Sequence, residues 1–467
     1  MDHIALPQTA NSSFIGFHPK NHSHPLVREV SRTANSSVTA FYPNTPSSSH
    51  FRTANSSVTA FHPNAPLHTF REVIRHFSPA WFGINMATGA LSSLFHVFPF
   101  VGHPRIMNTF ALIFFFLNVV LFVLFSALTV ARYVMYPQSL GIMLRYSPQS
   151  LYWSCAPMAL ATIVTTGISV VAQYWGFGGT AFIYFLWAIW WADVVLSFIC
   201  AFGLFHVMSV YQKLSIECIT PRWLLPIMAF IVAATEGQFM ANTLIPLSLH
   251  NAFLTIGMSI LMLVMGASLA LMLLTLWIRR LLIEGIPDAL SIITSFLPLG
   301  PCGQAGYALL IAGRNLKVTL PYGTGDFMGE ADVGKILNVI CFFIAFALWC
   351  FEVWWLLSAI IAIVDLFSRR LRIPFKLTSW GLVFPNGVHA LFTLQLGQSL
   401  DSPIFRIFGA IHAIIVGLLW IGLTIKTVIQ VFDGRIFFPS NPEEDWRNMT
   451  LALPLKGNRR QSEKTLV

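Results

Sequence analysis

Few side chains in this sequence can do chemistry, and most of those lie inside apolar runs. Glu236 is the sole carboxylate in WLLPIMAFIVAATEGQFMANT, and His389 sits within SWGLVFPNGVHALF. An ionisable group in such a run is costly, which makes Glu236 a candidate for proton or ion handling, while its place toward the end of the run equally allows a solvated boundary role. His389 could titrate near neutral pH and relay a proton or gate a path, or it could pack through hydrogen bonds. Thr88, Thr162, Thr235, Gln304 and Asn386 add neutral hydroxyls and amides in similar runs, and no Lys or Arg lies centrally among them. Hydroxyls, amides and helix N-terminal dipoles without a ring of charge hold an anion weakly, which favours passage over tight binding. Asp193 and Glu352 fall in other apolar runs and read as partners that fix helix packing; His96, His206 and His250 fall near the ends of runs, where interfacial placement explains them.

Bond-making chemistry finds little support. There is no G-x-x-x-x-G-K-[ST] phosphate loop, no H-E-x-x-H and no G-x-S-x-G elbow, so neither an enzyme nor an ATP-driven pump is expected. The six cysteines, Cys155, Cys200, Cys218, Cys302, Cys341 and Cys350, show no C-x-x-C spacing, and five of them lie in apolar segments. Neither a metal site, a cofactor nor a disulfide framework is expected.

The elements that position these residues follow from composition. Of 467 residues, 55% are hydrophobic and 10% charged, against roughly 25% charged in soluble domains. With a mean hydropathy of +0.68, the apolar side chains must face lipid. The net charge of +9 is spread in short basic clusters beside apolar runs, the pattern of topology determinants and not of a nucleic-acid surface. Apolar stretches at about 78–98, 106–131, 151–174, 180–208, 223–241, 246–278, 290–312, 336–366, 377–397 and 403–431 predict ten transmembrane helices.

Odd-numbered and even-numbered spans differ. Pro157 lies in the third, Pro226 in the fifth, Pro298 and Pro301 in the seventh and Pro385 in the ninth, while the first begins SPAWFGINMATG. Even spans have no interior proline. A proline within a span frees backbone carbonyls that lipid does not tolerate, so the odd helices are expected to kink, to sit inside and to line a pore. The predicted fold is all-α: ten transmembrane helices as five hairpins around a central pore lined by the odd-numbered helices.

Loops after even spans carry Arg132, Arg145, Lys213, Arg222, Arg279, Arg280, Arg369, Arg370, Arg372 and Lys376; loops after odd spans carry only Arg105, Arg314, Lys317, Lys335 and Arg406. The excess puts the even loops and both termini in the cytoplasm. Residues 1–72 form a polar region in which RTANSSVTAFYPN (32–44) recurs as RTANSSVTAFHPN (52–64), with a degenerate copy at 8–20. Offering no face to bury, the repeats read as disordered cytoplasmic sequence, and the N-S-S triplets at Asn11, Asn35 and Asn55 then are chance sequons. The transporter domain is predicted over 73–432, with a basic cytoplasmic tail at 433–467.

FSPAWFGINMATG, LYWSCAPMALAT, FLWAIWWADVVLSF, FLPLGPCGQAGYALL and SWGLVFPNG, in this order, resemble the tellurite-resistance/dicarboxylate transporter family over roughly residues 74–432. That family includes fungal sulfite efflux pumps, malic acid permeases and plant slow-type anion channels. The resemblance implies ten helices in five hairpins, a homotrimer, and a phenylalanine plug just before the ninth-helix proline, which falls on Phe384 here. LYWSCAPMALAT, the W-W-x-D step at Trp190–Asp193 and PLGPCGQAGYALL look more like the sulfite pumps, while SPAWFGINMATG and VFPNG also resemble the malate permeases. The expectation is a plasma-membrane protein that exports sulfite, with malate or another organic acid as the alternative substrate. The repeated amino terminus resembles neither group.

Overall fold

The computed structural model describes residues 70–100, 102–145, 149–212, 219–287, 291–322, 328–371 and 373–437. The amino-terminal repeats, the three sequons and the tail beyond 437 lie outside them. All described residues belong to one compact unit, Asn64–Val467, and every regular element among them is helical.

Helix α1 (Phe70–His76) precedes a 3-10 turn at Pro79–Trp81 and α2 (Phe82–Val97); α3 (Pro104–Met135) and α4 (Gln138–Arg145) follow. A turn at Gln149–Ser154 opens α5 (Cys155–Thr166), which continues as π-helix through Gly167–Tyr174. Next, α6 (Gly179–Phe198) passes into a π-helical stretch, Ile199–Leu204, and α7 (Phe205–Tyr211). The turn Pro221–Leu224 opens α8 (Leu225–Leu244), and α9 (Leu249–Glu284) runs on from it. Ile292–Phe296 opens α10 (Leu299–Thr319), before α11 (Val333–Ser368). Leu377–Leu382 opens α12 (Val383–Ser399), and α13 (Pro403–Phe432) follows.

Seven of these stretches are long and apolar enough to cross a membrane: Pro104–Met135, Gln149–Tyr174, Gly179–Tyr211, Pro221–Leu244, Leu249–Glu284, Val333–Ser368 and Pro403–Phe432. The chain is thus an all-α polytopic protein. The other three predicted spans are helical where expected, as α2, α10 and α12, but do not meet the same measure of length and apolarity. Their residues explain why. Helix α10 reads LGPCGQAGYALLIAGRNLKVT and is buried along most of its length, so its surroundings are protein and its side chains need not be lipid-soluble.

Burial divides the helices into two classes. In the most apolar window of Pro221–Leu244, 94% of residues are buried; in that of Val333–Ser368, 11% are. Contacts join α2 to α3, α5 to α6, α8 to α9, α10 to α11 and α12 to α13, and a second set runs α2–α5–α8–α10–α12 and back to α2. Small residues permit the close approach. Ala229, Ala233 and Gly237 recur every fourth position on α8, and against them Trp190 Nε1 donates to the Ala233 carbonyl at 3.0 Å and Ser197 Oγ to the Ala229 carbonyl at 3.3 Å. A Cβ at Gly237 would collide with Ser259 on one side and Trp190 on the other.

The prolines differ from the expectation of mid-helix kinks. Each buried helix starts with a 3-10 turn, and Pro157, Pro226, Pro301 and Pro385 fall within the first three residues of the α-helix that follows, with Pro298 capping α10. The first turn of a helix has N–H groups without internal partners, so a proline there costs no hydrogen bond and fixes the direction in which the α-helix leaves the turn.

Candidate functional site

Two cavities lie along the buried helices. The smaller, about 40 Å³, is lined by the early residues of these helices, among them Gly83, Met86, Cys155, Met228, Leu297, Trp380 and Phe384. The larger, about 160 Å³, is lined by later ones, including His96, Thr162, Ser169, Gln173, Thr235, Glu236, Gln304, Tyr307 and Gln395, and again by Phe384. Each cavity takes side chains from α2, α8 and α12 and from the segments holding α5 and α10. Phe384, 3% exposed, contributes to both walls. No Lys or Arg lines either one. Among the described residues, no three His, Cys, Asp or Glu side chains are grouped to hold a metal ion.

The larger cavity gathers Thr162, Thr235, Gln304 and Glu236 from the candidate residues. Thr162 is held by its neighbours: its hydroxyl donates to the Ala159 carbonyl at 2.8 Å and accepts from Asn118 Nδ2 at 3.0 Å, and Asn85 Nδ2 in turn donates to Asn118 Oδ1 at 3.0 Å. Thr235 Oγ1 donates to the Ile231 carbonyl at 2.9 Å and lies 3.2 Å from the Gln304 carbonyl. Gln304 Oε1 is buried and accepts from no donor among the described residues. Glu236, for which the sequence left both proton or ion handling and a solvated boundary role open, is 1% exposed and sits mid-helix because α8 runs on to Leu244.

The other candidates lie elsewhere. Thr88 is fully buried between helices, with its hydroxyl donating to the Ile84 carbonyl at 2.7 Å and accepting from Trp420 Nε1 at 3.2 Å. Asn386 Nδ2 donates to the Leu382 carbonyl at 2.7 Å, and its Oδ1 is 3.1 Å from His412 Nε2. His389 is fully buried beside Glu352, Nδ1 to Oε2 at 3.2 Å, and its ring centre is 4.8 Å from that of His412. Of the prolines only Pro385 lines a cavity; Pro157, Pro226, Pro298 and Pro301 line neither, because at these helix starts the neighbours Cys155, Leu225, Met228 and Leu297 present their side chains instead.

Among the cavity residues that escaped sequence reasoning are Thr165, Ser169 and Gln173. Thr162, Thr165, Ser169 and Gln173 form a polar stripe at steps of three, four and four residues along the third span, and all four line the larger cavity. That periodicity was visible, since residues three and four apart share one helix face. Asp193, read as a packing residue, is fully buried and within hydrogen-bonding reach of Glu236.

Comparison with known proteins fits this geometry. Residues 76–428 match the voltage-dependent anion channel family. The sulfite efflux pump of Arthroderma benhamiae is 32% identical over 78% of this chain and 93% of its own length, and that of Trichophyton rubrum is 32% identical over the same shares. The malic acid transport protein of Schizosaccharomyces pombe is 25% identical over 79% of this chain and 82% of its own. These relatives are transport proteins, and the matched region takes in both cavities and every buried helix: the chain is a member of the voltage-dependent anion channel family.

Proposed function

We propose that this protein exports sulfite across the plasma membrane, along a path through α2, α5, α8, α10 and α12 that Phe384 closes. One observation carries the reading: Phe384 forms part of the wall of both cavities. An aromatic ring between a narrow apolar chamber and a wider polar one is a steric and dewetting barrier. The circuit of contacts among the five buried helices supports a pore within ten spans arranged as five hairpins. With residues 1–72 and the tail in the cytoplasm, the smaller cavity faces inward and the larger outward. The protein assembles as a homotrimer, as the resemblance implies.

Substrate choice rests on the relatives and on charge. The sulfite pumps match more closely than the malic acid transporter does, and neither cavity offers the cation that a dianion usually requires. A compact monoanion sheds less hydration than a doubly charged dicarboxylate on passing an uncharged constriction. Malate is the second reading, favoured by the similarity to the Schizosaccharomyces protein over most of the chain. Paired flux of labelled sulfite and malate in proteoliposomes at matched gradients separates them. Sulfite should be the faster; malate well above sulfite would make the protein an organic-acid carrier. Tags at either terminus should be protected in intact cells, and labelling of an amino-terminal tag without permeabilisation would reverse the topology.

A further inference from the structure

One acid on the wall of the larger cavity is paired with a second acid behind it. Glu236 belongs to α8 and lines the cavity; Asp193 belongs to α6, fully buried behind it. Asp193 lies between Trp190 and Ser197, which donate to the Ala233 and Ala229 carbonyls of α8, so its carboxyl is on the face of α6 that packs on α8, within hydrogen-bonding reach of Glu236. None of their four oxygens accepts a hydrogen bond from a donor among the described residues. Helices α5, α6, α8 and α9 carry no Lys or Arg between Leu225 and Trp277 or along Cys155–Thr166 and Gly179–Phe198, so none of these four helices supplies a cation to the pair; α10, which also packs on α8, carries Arg314 and Lys317 in its last two turns, outside the cavity lining, and Arg314 Nη2 donates to Ser399 Oγ at 2.8 Å.

Two ionised carboxylates in contact, buried and without a cation, repel and leave every oxygen unsatisfied. Placing one proton between them resolves both problems. The protonated oxygen donates to the other group, and the pair carries one negative charge in place of two. Tight packing of α6 on α8 holds the arrangement, since Trp190 and Ser197, on the same face of α6 as Asp193, are hydrogen-bonded to the α8 backbone.

We propose that Asp193 and Glu236 form a proton-binding site on the wall of the anion path, holding one shared proton while the path conducts. The assignment rests on the path proposed above. When the outer cavity turns alkaline, the O–H bond of the pair breaks, the proton passes to hydroxide to form water, and the pair goes from one negative charge to two. A second charge beside Thr235 and Gln304 repels an incoming anion, so flux falls as pH rises. Other titratable groups around the pair are Cys200 beyond Asp193 and Cys155 of α5, Tyr307 of α10 and His96 of α2 on the cavity wall; α9 contributes only the hydroxyls of Thr255 and Ser259 to its buried face here. His96 Nδ1 is 2.6 Å from Asn108 Oδ1, on the side of α3.

The test uses nitrate, which does not titrate in the working range and so removes the speciation of sulfite itself. In proteoliposomes holding the full chain, wild-type nitrate flux should fall several-fold as external pH is raised from mildly acidic to mildly alkaline. Glu236→Gln supplies a permanent neutral donor to Asp193 and should flatten that profile near its acidic level, and Asp193→Asn should do the same. A fall with pH that survives in both acid variants but disappears in His96→Gln would assign the dependence to the cavity-wall imidazole and overturn the proposal. An unchanged pH profile in both acid variants overturns the proposal. Infrared spectroscopy of the purified protein reads the proton without transport: a protonated-carboxyl carbonyl band, lost in Glu236→Gln, is expected, and its absence from wild type at neutral pH overturns the proposal even where a variant fails to fold. Wild-type protein that carries neither nitrate nor sulfite yet keeps the band would refute the path and leave the shared proton standing.

Discussion

Two buried pairs in this molecule, which hold three acids and one base, give those acids opposite company. Both pairs join a largely exposed helix to a buried one: Asp193 of α6 with Glu236 of α8, and Glu352 of α11 with His389 of α12. Glu352 faces a base at 3.2 Å, packs against Gly303 where a Cβ would strike its carboxyl, and lines neither cavity. Asp193 and Glu236 face each other, and Glu236 lines the larger cavity. An acid and a base can settle their proton between themselves, away from either cavity. Two acids need a proton from outside, and the side that can supply it is the cavity. The first pair is therefore enclosed among helices, and the second is exposed to the contents of the larger cavity.

Removing one member of the enclosed pair should have the largest effect on stability. His389→Phe leaves Glu352 buried without its partner and should destabilise the fold by about 3–5 kcal/mol. The double variant Glu352→Leu with His389→Phe should recover much of that loss, which a double-mutant cycle on unfolding in detergent would read. Additive losses would show that the two side chains do not act as a pair. Glu236→Gln, by contrast, keeps a donor to Asp193 and should melt close to wild type while altering the pH profile.

Steric changes behind each pair come next. Gly303→Ala pushes on Glu352 and Val388, and Gly237→Ala on Ser259 and Trp190; each should cost about 1–3 kcal/mol by overpacking. Gly237→Ala should also disturb the pH profile by moving α6 from α8, whereas Gly303→Ala should leave it alone. Trp190→Phe, which deletes the hydrogen bond to Ala233, should cost about 0.6–2 kcal/mol. Least of all, Lys335→Ala breaks an ion pair with Asp332 in which both side chains are 70% exposed, and should stay within about 0.5 kcal/mol.

The contrast also marks what the sequence could disclose. Ten apolar segments and the proline alternation located the helices and separated the buried class from the exposed class, because lipid solubility and proline geometry act on each segment alone. Pairings such as Asp193 with Glu236 were hidden, since they depend on how α6 is rotated against α8, which Ala229, Ala233 and Gly237 decide only once the helices meet. Residue type alone does not place a proline along its helix: a proline in a first turn and a proline at a kink read alike until the preceding 3-10 turn is seen. Thr88 and Asn386 were chosen by polarity alone, and both turned out to be satisfied by Ile84, Trp420, Leu382 and His412. The stripe from Thr162 to Gln173 was legible in its spacing.

The most direct test of the whole account is sulfite flux through Phe384→Ala in proteoliposomes beside wild type. Loss of the ring should join the two cavities, and a barrier lowered by about 1.4 kcal/mol raises flux about tenfold. A folded variant whose sulfite flux equals that of wild type would contradict the claim that the path runs through these cavities and closes at Phe384.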